Sequence, residues 1–192
     1  DVVRVPPIRV SASADTKPVA PAREFAVVFE DDALIVLDKP AGTAVHGGSG
    51  VSFGVIEQLR PARPQAKLLE LAHRLDRETS GLLIVAKKRA ALTGLHDMFR
   101  EGKISKRYLA LDKGRWVNPT QHVRLALEKY LTAEGERRVN VSSEGKEAHS
   151  IVRLKARWEN FSLVEVELKT GRTHQIRVHL SHLGFPIAGD DK

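Results

Sequence analysis

The chain has 192 residues with 42% hydrophobic content, enough for one domain with a substantial core. Lysine plus arginine number 31 against 24 acidic residues, giving a formal charge of +7 and a pI near 9.8; this suits a polyanionic partner, although basic charge also serves solubility. Cysteine is absent, which excludes disulfides and thiolate metal sites and permits an intracellular location; with no apolar run near the roughly 20 residues of a membrane helix and no leader-like pattern at its start, the sequence reads as that of a soluble protein.

Residues 1–24 are proline-rich and lack periodicity, which predicts an extended linker ahead of a domain over residues 25–192. From Phe25 to Lys39, the runs FAVVF and ALIVLD flank Glu30-Asp31-Asp32 and predict an edge hairpin that Pro40 terminates. The glycine-rich stretch His46–Gly50 lacks the Lys-Thr/Ser of a phosphate-binding loop and reads as a flexible loop. Val51, Val55, Ile56 and Leu59 recur at helical spacing over Val51–Arg60, with Pro61 as the stop.

Leu68–His73 and Leu82–Ala86 read as strands on either side of a turn-rich stretch, and Arg89–Phe99 as a helix with Leu92, Leu95 and Phe99 on one face. Lys103–Asp112 alternates as a strand, with Leu109 and Leu111 on one side and Tyr108 and Ala110 on the other. Arg115–Arg138 is polar and weakly patterned, which predicts loops with a turn at Asn118-Pro119. Strands are predicted at Val139–Val141, Ala148–Ala156 and Ser162–Leu168. A last helix is expected with Thr173 as N-cap, Ile176, Leu180 and Leu183 as its apolar stripe, and Gly184 and Pro186 as its end; Arg177 lies one residue off that stripe.

Chemistry concentrates in HRLDRETSG, His73–Gly81, where the single carboxylate Asp76 stands among His73, Arg74 and Arg77 ahead of the apolar LLIVA. On residue types alone, Asp76 is either a reactive group on a loop or a loop carboxylate neutralised by two arginines. Three further stretches stand out: IVLDKPAG at Ile35–Gly42, SKRYLAL at Ser105–Leu111 and TGRTHQIRVH at Thr170–His179. Taken together and in this order, the four resemble the motifs of the RluA-type pseudouridine synthases, which isomerise uridine within RNA. The stretch Ala44–Glu57 is most similar to the branch that modifies large-subunit (23S) ribosomal RNA.

The resemblance implies an α+β pseudouridine synthase fold: a mixed, mostly antiparallel twisted sheet with flanking helices and a basic cleft. It implies cofactor-free isomerisation in a cytoplasmic monomer acting on structured RNA. Asp76 takes the role of nucleophile or of electrostatic partner to a cationic sugar, as carboxylates do in retaining glycosidases. Arg177 pairs with Asp76 and keeps it ionised; Tyr108 stacks on the flipped base. Arg74 fills the gap left in the RNA stack, and Lys39, His73, Arg77, Arg172, Ile176 and Leu180 complete the expected substrate-binding set. Many relatives carry an S4-like domain before the linker and continue past the stretch equivalent to Gly189–Lys192, so the sequence is expected to be a catalytic-domain fragment.

Plainer readings stand beside these. Lys39 either faces RNA, braces the active-site loop or is merely solvated; Arg74 either fills the stack or orders its loop. Tyr108, Ile176 and Leu180 are core residues by default, and Arg177 is a surface helix residue. His174, His179 and His182 crowd the last helix, which raises a metal hydrolase as a rival, although a zinc site normally needs three well-placed ligands and neither HExxH nor cysteine is present. A catalytically silent RNA-binding module is the second rival, and the same chemistry on another structured RNA such as transfer RNA is a third.

Overall fold

Ile35 and Leu37 on one strand, and Leu83 and Val85 on the next, are all fully buried and seed the first of two four-stranded sheets. They belong to a computed structural model that describes residues 19–48, 51–133 and 135–190. The chain divides into two compact units, one ending at Leu92 and the other beginning at Thr93. Every strand ladder recorded among the described residues is antiparallel.

In the first unit, β1 (Ala26–Glu30), β2 (Leu34–Lys39), β3 (Glu70–Leu71) and β4 (Gly81–Ala86) lie in the order β1-β2-β4-β3. The hairpin expected from the acidic turn is present at the sheet edge. Asp31 closes it by accepting the backbone N–H groups of Ala33 and Leu34 at 2.7 and 2.8 Å. The predicted strand Leu68–His73 shrinks to Glu70–Leu71, because the chain turns away beyond Leu71 to form the Asp76 loop.

Helix α1 (Val55–Ala62) buries Val55, Ile56 and Leu59 as the spacing predicted, but its limits differ. Val51 pairs with Gly48 in a bridge instead of joining the helix. Gly54 precedes the first turn, where any Cβ would lie 2.4 Å from the His46 backbone, and its N–H donates to Glu57 Oε2 at 2.8 Å. The same oxygen accepts Gly47 N–H at 3.0 Å, so this end of the glycine-rich stretch is tied to the helix. Pro61 lies inside the last turn, where its missing N–H forfeits only one bond before Arg63 N–H closes onto the Leu59 and Arg60 carbonyls.

Helix α2 (Arg89–Arg100) carries the boundary between the units and turns Leu92 into its unit's interior. In the second unit β5 (Arg107–Lys113), β6 (Thr120–Arg124), β9 (His149–Arg157) and β10 (Phe161–Leu168) form a sheet in the order β5-β10-β9-β6. β7 (Leu127–Leu131) and β8 (Arg137–Val141) form a separate ribbon. Antiparallel sheets with three helices among the described residues make the α+β class that the resemblance implied, its strands grouped as two sheets and a ribbon, whereas the loops expected over Arg115–Arg138 are largely strands. Those strands are polar because backbone pairing rather than an apolar face holds them: β6 buries only Val123, and β7 only Leu127.

Tyr108, Ala110 and Asp112 share the inward face of β5, opposite Val166, Val164 and Ser162 of β10. Leu109 and Leu111 face outward, 69% and 42% exposed. The core behind the sheet gathers Ala110, Trp116, Val123, Val152, Val164, Val166 and Leu180. Helix α3 (Gln175–His182) supplies Leu180. Its N-cap is His174, not the expected Thr173, and His174 adopts a left-handed conformation at φ 52°. Of the linker expected over residues 1–24, positions 1–18 lie outside the described residues; 19–24 lack regular structure, and Arg23 N–H reaches the Gln58 carbonyl at 3.0 Å.

Candidate active site

Two loops of the first unit are laced together around Asp76. The turn after β2 contains Gly42 at φ 77°, a conformation suited to glycine. Lys39 ends β2 with its side chain fully buried, and its ammonium donates to the carbonyls of Pro40 (3.0 Å), Thr43 (2.7 Å) and Arg77 (3.0 Å). Arg77 returns the tie, its Nε donating to the Gly42 carbonyl at 3.0 Å. Burial lowers the Lys39 pKa from its ordinary value, with the negative charges of Glu78 and Asp76 acting in the opposite direction.

With no exposed surface and three carbonyls on its ammonium, the Lys39 side chain is placed as a brace between the two loops. Arg77, whose expected role was substrate binding, spends Nε on the same brace, although its guanidinium remains largely exposed. His73 also anchors the loop, its Nε2 accepting the Ile84 N–H at 3.1 Å. Asp76 itself is half-buried, with its carbonyl accepting Thr79 N–H at 3.1 Å in a turn. Arg74 is exposed.

In the second unit, the TGRTHQIRVH stretch is set by a buried polar network that the sequence reading missed. Gln175 is 2% exposed; its Oε1 accepts from Thr170 Oγ1 (2.8 Å) and Arg172 N–H (3.0 Å), while its Nε2 donates to the His149 carbonyl (3.1 Å) and Ser150 Oγ (2.9 Å). His179, fully buried, donates from Nε2 to the Leu125 carbonyl at 2.9 Å, so its Nδ1 accepts from Ser150 Oγ at 3.0 Å. Burial pushes the His179 pKa below the usual imidazole value, and the Leu125 carbonyl opposes that shift. With both ring nitrogens so engaged, His179 is a structural residue and has no lone pair to offer a metal.

The network pins the start of α3, from which Arg177 projects. Its Nε lies 2.6 Å from Asp190 Oδ2 and its Nη2 2.5 Å from Asp190 Oδ1, while Nη1 donates to His174 Nδ1 at 3.2 Å. Asp190 arrives on the segment after α3, which runs along β5 through Lys113 N–H to the Pro186 carbonyl (2.8 Å) and Ala188 N–H to the Leu111 carbonyl (2.7 Å). Leu180 is fully buried and Ile176 packs against the same core, which favours packing over base contact for both. Arg172 is exposed, with Nε on the Glu147 carbonyl at 2.9 Å. Tyr108 is half-buried on the inward face of β5. Among the described residues, no helix is long and apolar enough to cross a membrane.

A family model described as RNA pseudouridylate synthase matches residues 33–182, a span containing Asp76, Tyr108 and Arg177. The chain is 52% identical over 197 aligned positions to ribosomal large subunit pseudouridine synthase C of Yersinia pestis, covering all of this chain and 62% of that protein. It is 50% identical over 198 positions to the Escherichia coli (strain K12) protein of the same name, with the same coverage. The chain thus spans about three-fifths of the length of the curated relatives it matches. Among solved structures it is similar to human RNA pseudouridylate synthase domain containing 1, with a TM-score of 0.74 and 28% identity, covering 87% of this chain and 68% of that one. The corresponding values for human RNA pseudouridylate synthase domain containing 4 are 0.73, 26%, 86% and 67%.

Proposed function

Because this chain belongs to the RNA pseudouridylate synthase family, we propose that it isomerises uridine to pseudouridine in large-subunit ribosomal RNA, with Asp76, Tyr108 and Arg177 as its reacting set. The observation that carries this reading is the family match, which spans all three residues, joined to relatives half identical over the whole chain.

The reaction breaks the bond from the sugar to N1 and makes one to C5 of the same uracil. The departing base is also the returning reactant, so a single carboxylate suffices. Asp76 acts either as nucleophile at the sugar or as the anion that stabilises its cationic form. The brace from Lys39 and Arg77 supports this role, because a carboxylate on a loop must be held within fractions of an ångström to act. Flipping exposes the base, and Tyr108 offers it a stacking surface. Arg77, Arg172 and Arg74 are exposed cations suited to the RNA backbone or stack.

Arg177 is the cation assigned to Asp76. Its guanidinium is oriented by the fork on Asp190 and the contact to His174. No cofactor enters the scheme.

The test replaces Asp76 with Asn, which keeps size and removes the anion. Tritium release from C5-labelled uridine in large-subunit ribosomal RNA is expected to vanish while RNA binding persists. Undiminished release by Asp76→Asn sinks the assignment. Release from transfer RNA but not ribosomal RNA overturns the substrate, and RNA binding without any turnover by the unmodified protein overturns the chemistry.

A further inference from the structure

Lys106, two residues before Tyr108 in the SKRYLAL stretch, has no role in the reading above. Its carbonyl accepts Leu168 N–H at 2.9 Å, which extends the β5–β10 ladder one residue beyond Arg107. Strand alternation therefore sends the Lys106 side chain to the same face as Tyr108, about 6.8 Å along the strand. The ammonium lies against the turn after β10: a Cβ built on Gly171 would be 3.8 Å from Lys106 Nζ. Gly171 is exposed and carries no side chain, so nothing of its own covers the ammonium from that direction.

The charge is also uncompensated. Among the described residues, no carboxylate or carbonyl lies within bonding distance of Lys106 Nζ, in contrast to Lys39 with its three carbonyls or Lys169 paired to Glu167. Burial lowers the Lys106 pKa, and no acidic neighbour opposes the shift. A half-buried cation without an internal partner costs free energy in the unliganded protein. An incoming anion that supplies the partner recovers that cost.

We propose that Lys106 is the phosphate-holding residue of the site, its ammonium receiving the backbone phosphate of the nucleotide whose base stacks on Tyr108. The two side chains share one strand face at a separation comparable to the reach from a nucleotide's phosphate to its base. The strand would then act as a ruler, fixing phosphate and base of one nucleotide by two residues at i and i+2. The inference rests on the RNA-modifying reading above, and it assigns Lys106 to positioning rather than to bond making.

The experiment compares full-length wild type, Lys106→Met, Lys106→Gln and Lys106→Arg. RNA binding is measured across a salt series, and kcat and KM by tritium release on transcribed large-subunit ribosomal RNA. Losing one phosphate contact should make the slope of log affinity against log salt shallower by about 0.7–0.9 in both neutral variants. KM should rise about tenfold with kcat within about twofold, and Arg should restore both slope and KM. An unchanged slope in either folded neutral variant, a fall in kcat at constant KM, or failure of Arg to restore the slope overturns the proposal. Turnover by the wild type tests the parent reading by itself. If that fails while the slope still changes, Lys106 remains a phosphate contact; if turnover holds and the slope does not move, only Lys106 is lost.

Discussion

Arg177 and Asp190 meet as a two-pronged ion pair, Nε to Oδ2 at 2.6 Å and Nη2 to Oδ1 at 2.5 Å, with both side chains less than one-fifth exposed. Asp190 is thirteen residues further along the chain and reaches the guanidinium because the 186–188 backbone is paired to β5. The fork fixes the plane of the guanidinium, which a single contact would leave free to rotate.

Asp190→Asn should therefore keep most of the packing and lose the charge-assisted fork. We expect a loss of about 1–3 kcal/mol in urea unfolding and a fall in kcat larger than the change in RNA affinity. Equal activity of the variant and wild type would show that the orientation of Arg177 does not depend on Asp190.

Lys39→Met removes the buried ammonium and leaves the carbonyls of Pro40, Thr43 and Arg77 without their shared donor. The expected cost is about 2–4 kcal/mol, because bonds to a charged donor are stronger than average and unsatisfied buried acceptors add to the loss. Proteolysis or amide exchange should show the 40–43 and 76–80 loops loosening together. Exchange confined to one of them would contradict the lacing.

Asp112 is fully buried on the inward face of β5 with neither carboxylate oxygen hydrogen-bonded, and burial pushes its pKa up to about 7. Its ordinary value is 3.8, so over the window from about pH 4 to about pH 7 the unfolded chain is ionised while the folded chain keeps its proton. The folded state then binds more protons, and this group lowers stability as pH rises through that window, with the full penalty present above about pH 7. Asp112→Val, which suits a strand, should abolish that slope and stabilise the protein on the order of 2–4 kcal/mol near pH 8. Urea midpoints at about pH 4, 6 and 8 check it; a variant less stable than wild type near pH 8 would refute the account.

His179 acts with the opposite sign. Its folded pKa is depressed, so on acidification the unfolded chain takes up a proton near pH 6.5 before the folded chain does. Its contribution is present above that value and lost as pH falls through the folded pKa. His179→Gln should flatten the acid limb of the stability curve, while Ser150→Ala, which deletes the Nδ1 partner, should cost about 1–2 kcal/mol at neutral pH. Persistence of the acid limb in His179→Gln would place its origin elsewhere.

Much of this was legible without coordinates. The β1–β2 hairpin, β4, α2, β9 and β10 fall within a few residues of their predicted spans, because alternation and helical periodicity report directly which face meets a core. The four motifs and their order were equally visible, since they are contiguous. β6 and β7 were not, because strands held by backbone pairing leave little hydropathic trace.

What the sequence determined by itself was the residue types available at the site and the faces that become buried. What only the tertiary structure decided was who meets whom. Lys39 became a brace when carbonyls from its own turn and from Arg77 surrounded it, and Arg177 found Asp190 through the pairing of the chain's last segment to β5. His179 lost its candidacy as a metal ligand to Ser150 and Leu125, which lie 29 and 54 residues away. Hydrogen bonds and ion pairs act over about 3 Å, and folding alone brings such distant positions within that range.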